Sequence, residues 1–152
     1  MAINRISSPI VAGGIDDGLA RSWLTCVHAG LREEYSNTRV LSTLKPPGPG
    51  WNYYSVLVGD PTGARLRLLL NAAGRLVAAS DDAEVPAVGP LDFVDVPHRQ
   101  PFTDGGFVVA SAEDLWTELA GEHLAALSAD DLADVDYHRP ARVGDLLFNW
   151  FD

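Results

Sequence analysis

Apolar and polar positions alternate most clearly between Trp51 and Ser80, and that stretch predicts a three-stranded antiparallel meander. Trp51 to Gly59 and Arg65 to Leu70 are rich in β-formers, and Leu76 to Ser80 is a shorter third run. Leu66, Leu68 and Leu70 alternate with Arg65 and Arg67, the period of two of a half-buried strand. The pattern therefore predicts a sheet with one apolar and one polar face. Gly59-Asp60-Pro61-Thr62-Gly63 reads as the first turn, with proline fixing one φ and glycine free to take a positive one. Asn71-Ala72-Ala73-Gly74 reads as the second, closed by a glycine in the left-handed region.

A helical period precedes this sheet. Leu19, Trp23, Val27, Leu31 and Tyr35 recur every four residues, flanked by Ala20, Leu24 and Cys26, after a cap at Asp16 or Asp17. Residues 1–15 read as a loosely docked arm, and Arg39 to Leu44 as an edge strand or extended lead-in. Lys45-Pro46-Pro47-Gly48-Pro49-Gly50 is a stiff connector, because its prolines lack donors and fix φ.

Beyond the meander, Leu91 to Val96 predicts a fourth strand, His98 to Gly106 an irregular segment, and Phe107 to Ala110 a short buried strand. Ser111 caps the clearest helix, with Glu113 and Asp114 in its first turn and an apolar face of Ala112, Leu115, Trp116, Leu119, Ala120, Leu124 and Leu127. Ser128 opens a second helical stretch to about Val135. In the last segment Pro140 suits a first helical position, and Val143, Leu146, Leu147, Trp150 and Phe151 make an amphipathic stripe. So much aromatic surface must be buried, on the chain's own sheet or on a second subunit. The pattern as a whole predicts a single α+β domain over residues 1–152, a meander of four or five strands with an N-terminal helix and two or three C-terminal helices packed on it.

Composition narrows the setting. With 152 residues, 47% of them hydrophobic, the chain has material for a core without staples. The single cysteine, Cys26, forms no internal disulfide framework, and no apolar run approaches the roughly 20 residues of a membrane span. With no apolar signal core at the start either, a cytoplasmic protein is expected, and ten arginines against Lys45 alone suggest a bacterial one.

Charge separates the two halves of the chain. Residues 1–75 hold eight bases and five acids, whereas residues 76–152 hold sixteen acids and three bases, within a net of −10. Such a field disfavours nucleic acid and anionic membranes and favours a basic partner, although acidity also serves solubility alone.

Motifs for chemistry are weak. Cys26 and His28, two residues apart on a helix, point about 200° from each other. No Gly-x-Ser-x-Gly elbow or phosphate-binding loop appears. The histidines, His28, His98, His123 and His138, are scattered, and the Asp130, Asp131, Asp134, Asp136 group lacks the glycine and closing glutamate of a calcium loop. No cofactor or metal is expected, and no catalytic residue is assigned.

In size, acidity and lack of a catalytic motif the chain resembles the immunity proteins of bacterial toxin–immunity pairs. The resemblance implies an inhibitor that is steered onto a basic protein partner such as a toxin domain and blocks its active site. In this chain the candidate contacts are Glu113, Glu118, Glu122, Asp130, Asp131, Asp134 and Asp136, with Tyr137 as an aromatic anchor. One alternative is a small α+β enzyme or small-molecule binder with a pocket between sheet and helices, lined by Trp51, Tyr53, Tyr54, His98 and His123. A third is a structural homodimer joined through Trp150 and Phe151.

Overall fold

A computed structural model describes residues 15–33, 38–48, 50–60, 62–71, 73–81, 89–125 and 127–151; all of the expected N-terminal arm (residues 1–15) but Ile15, and Tyr35 of the expected helical stripe, lie outside them. The meander forms as the alternation predicts: β2 (Tyr53–Gly59), β3 (Arg65–Asn71) and β4 (Leu76–Ser80) pair antiparallel, with Tyr53 opposite Asn71 and Arg67 opposite Ser80. Two-residue strands extend it. β1 (Arg39–Val40) lies along β2, and β5 (Phe93–Val94) along one end of β4. β6 (Val108–Val109) joins the other end of β4 in parallel, completing a six-stranded sheet in an α+β fold. The first turn is pinned by the Asp60 carboxylate, which accepts from the Thr62 amide at 2.9 Å and from the Ala64 amide at 3.2 Å, while Gly63 takes φ +89°.

The sheet does not have a polar face. Every residue of β2 and β4 is buried, and Arg67 is only 1% exposed. One face, with Tyr54, Val56, Val58, Leu68 and Leu70, packs against Trp23 and Val27 of α1 (Asp17–Glu33) and Phe102 of α2 (Gln100–Asp104). The other, with Tyr53, Leu69, Ala78 and Phe93, packs against Leu115 of α3 (Ala112–Trp116) and Val143, Leu147 and Phe148 around α6 (Val143–Leu147). Alternation predicts which residues share a face, but burial of the second face depends on what the rest of the chain lays over it.

Other local expectations change for tertiary reasons. Arg75, rather than Gly74, adopts the left-handed conformation in the second turn, at φ +51°. Its guanidinium donates to the carbonyls of Gly105 (3.2 Å) and Gly106 (3.3 Å) and sits 4.4 Å from the Phe107 ring centroid, contacts that offset backbone strain. The segment expected to be irregular before β6 contains α2, with Pro101 in its first turn. The long helix expected from Ser111 breaks into α3 and α4 (Gly121–Leu124), because the intervening chain runs alongside residues 141–143. There the Leu119 amide donates to the Ala141 carbonyl at 2.9 Å and the Val143 amide to the Thr117 carbonyl at 2.9 Å. Those partners replace helical hydrogen bonds, so helix propensity yields to pairing across the chain. Tyr53 and Tyr54 are both buried, and Trp51 donates from its indole to the Pro46 carbonyl at 2.8 Å.

The C-terminal segment closes the second face. Pro140 lies outside α6, while Val143, Leu146, Leu147 and Phe148 are buried and Trp150 and Phe151 remain half-exposed. Phe148 meets Tyr53 edge-on at 6.0 Å between centroids and Phe93 at 5.9 Å. Three buried asparagines tie this segment to the sheet. Asn71 and Asn52 donate side-chain N–H groups to the Leu147 carbonyl at 2.7 and 3.2 Å, and the Asn149 amide donates to Asn52 Oδ1 at 2.9 Å. Asn149 Nδ2 then donates to the Leu146 carbonyl at 3.1 Å.

Two expectations follow. Asn71→Ala removes a buried donor and should lower unfolding stability by about 1–3 kcal/mol in urea titration, with the loss concentrated in hydrogen-exchange protection of residues 146–151. Thr62 and the two amides hold the Asp60 carboxyl below its ordinary value of 3.8. The hairpin's contribution from this group is therefore complete above that value and is lost as pH falls through the lower, folded-state value. Asp60→Asn should flatten the acid limb of a thermal-stability profile in that range.

Candidate functional site: an acidic helical face

α5 (Ala129–His138) is the most unusual helix in the structure, because its only buried residue is an acid, Asp131. The local sequence explains its start. Ser128 Oγ accepts from the Asp131 amide at 3.1 Å, and the Asp131 carboxylate accepts from the Ser128 amide at 3.3 Å. This reciprocal cap satisfies two amides that a helix start leaves without partners. Asp131, with Val135 and His138 one and two turns on, forms the inner face.

The outward stripe is different. Asp130, Asp134 and Tyr137 lie at i, i+4 and i+7, within about 60° of one another around the axis. Tyr137 is 83% exposed, and Leu132, on another flank of the same helix, is 42% exposed. The helix end is joined to the body through rings: Tyr137 meets His138 edge-on at 4.9 Å, and His138 stacks on Phe151 at 4.3 Å with planes 6° apart. Trp150 in turn meets Phe151 edge-on at 5.8 Å, and both stay half-exposed.

The remaining expected contacts lie on other segments and are mostly exposed. Glu113 is exposed on α3, Glu118 in the connection beside Arg142, Glu122 on α4, and Asp136 on α5, while Asp134 is half-buried. Asp131 differs from the other expected contacts: its carboxylate is spent inside the cap and is 4% exposed. Residues 111–138 carry eight acids and no lysine or arginine.

Two arginines border this segment: Arg139, the residue that ends α5, is exposed, whereas Arg142 is paired. Arg142 donates through Nε to both Asp145 oxygens at 3.1 and 3.2 Å and through Nη2 to the Leu91 carbonyl at 2.9 Å. Its guanidinium lies 4.1 Å from the Trp116 ring centroid and 5.2 Å from that of Phe93. Trp116, expected on a buried stripe, is 48% exposed yet donates its indole N–H to the Phe93 carbonyl at 2.9 Å. The helix expected from the sequence ends at about Val135 and so does not carry the stripe to Tyr137; nothing local marked Trp116 as a surface residue.

The other chemical candidates are not assembled into a site. Cys26 is buried whereas His28 is exposed, and burial raises the thiol pKa against the lowering field of Arg75, with Asp104 adding to the rise. A thiol held protonated is a poor nucleophile. Among the described residues no group of three or more acids, histidines or cysteines is placed to hold a metal ion. His123 accepts the Ala120 amide through Nδ1 at 2.9 Å, a capping contact at the start of α4. Among the described residues no helix is long and apolar enough to cross a membrane.

The cap and the outward stripe should separate experimentally. Asp131→Ala should cost about 0.5–2 kcal/mol and speed hydrogen exchange at residues 129–138, whereas Asp130→Asn should leave exchange there close to unchanged. Comparison with protein-family models, with curated proteins and with solved structures finds no match to this chain.

Proposed function

We propose that this protein is an immunity-type inhibitor that occludes a basic protein partner, such as a toxin domain, with its acidic helical face. The observation that carries the reading is α5: a ten-residue helix that fully buries no apolar side chain and exposes Asp130 and Tyr137, with Asp134 half-buried beside them. A helix with an exposed tyrosine amid carboxylates has the make-up of a binding surface, an aromatic anchor inside a charged field. The field of Glu113, Glu118, Glu122, Asp130, Asp134 and Asp136 draws a cationic partner in and orients it. Once docked, Tyr137 is desolvated against the partner, and its ring face suits an arginine or lysine side chain. Inhibition is then steric: the partner's own active site is covered, and this chain supplies no reacting group.

The test begins with the binding partner recovered by the tagged protein from the source organism, purified and returned to a kinetic binding assay. Tyr137→Ala should weaken the complex about tenfold or more, mainly through faster dissociation. Asp130→Asn with Asp134→Asn should instead slow association and reduce its dependence on salt. A partner that is itself acidic, or affinity indifferent to both sets of changes, would remove the reading.

A further inference from the structure

A second site lies on the opposite side of the sheet. Between the C-terminal half of α1 and the β1–β2–β3 end of the sheet is a cavity of about 440 Å³. Its floor is Val58, Leu66 and Leu68, which strand alternation turns toward α1; Val27, Leu31 and Phe102 form walls. Polar groups are confined to a few positions: Thr38, Asp60 and His98 also line it, and Arg65 contributes from the strand edge. Asp60 and Arg65 at the rim carry opposite formal charges, so the lining holds no net fixed charge to select an ion. Asp60 is engaged in its own turn.

We infer that this cavity binds a compact, uncharged, mostly apolar molecule with one hydrogen-bonding group, the polar end lying toward Thr38 and His98. Three features support that assignment. Its volume falls in the range of small-molecule pockets, about 300–1,000 Å³. Leu31 and Leu66 are only half-buried beside it, so an apolar occupant would remove further surface from water. His98 holds φ +54°, a conformation that non-glycine residues seldom adopt and that is found preferentially at ligand sites. None of the acidic residues of α3 to α5 lines the cavity, so this site stands or falls independently of the inhibitor reading.

Indole, an uncharged ring with a single N–H, is a suitable probe. Titrated into the ¹⁵N-labelled full chain, it should give saturable shifts centred on the amides of Gly30, Leu31, Val58, Leu66 and His98. Leu66→Trp, which fills the space from the sheet, should weaken binding at least tenfold without lowering the thermal midpoint. Leu31→Phe fills it from the helix and should do the same, so that misfolding of one variant leaves the other as the test. The inference is overturned if shifts at those amides do not saturate, or if a folded, filled variant binds indole as tightly as the parent. Tighter binding of indole-3-acetate than of indole would overturn the assignment to uncharged ligands.

Discussion

Burial of the central sheet on both faces creates a demand that the C-terminal segment must meet. Asn52 and Asn71 sit in a buried layer where an unsatisfied amide costs about 1–3 kcal/mol, and both direct their donors to the Leu147 carbonyl. Asn149 completes the arrangement by donating its backbone amide to Asn52. Apolar contacts from Leu147 and Phe148 would cover the face in several orientations; the asparagines select one. α6 is only five residues long, too short to be stable by itself, and this clasp with its apolar underside gives it a fixed position.

That placement also organises the acidic face. Once α6 is seated, Arg142 reaches Asp145 and the Leu91 carbonyl and lies against Trp116, joining the C-terminal segment to α3. Residues 141–143 then run beside Thr117 and Leu119, which interrupts the helix between α3 and α4. The tail ends with Phe151 under His138, supporting the far end of α5. The exposed carboxylates and Tyr137 therefore stand on a scaffold in which Arg142 is already neutralised, while Arg139 is exposed at the end of α5.

The two sides of the sheet differ in chemistry as well as in cover. On the α1 side the lining is largely apolar and leaves an open pocket; on the α3–α6 side the core is closed, with Arg67 and Asp145 buried and the exposed acids outside it. Of Trp51, Tyr53, Tyr54, His98 and His123, the residues expected to line a pocket, only His98 lines the cavity. Trp51 is held by Pro46, Tyr53 lies in the second core, Tyr54 lies in the first with its hydroxyl accepting from the Asp16 amide at 2.7 Å, and His123 caps α4. Aromatic character was legible; which layer would receive each ring was not.

Local periodicity by itself determined the meander, the α1 stripe and the Asp16, Ser111 and Ser128 caps, because each depends on residues a few positions apart. The expected helix after Ser128 stops at about Val135, so the stripe of Asp130, Asp134 and Tyr137 came only with the observed end at His138. Tertiary structure alone decided that Arg67 would be enclosed, that Asp131 would turn inward, and that the helix after Ser111 would break. In each case the deciding group lies far along the chain or on another element, and its effect comes from removing water or supplying a competing hydrogen bond, neither of which a local pattern encodes.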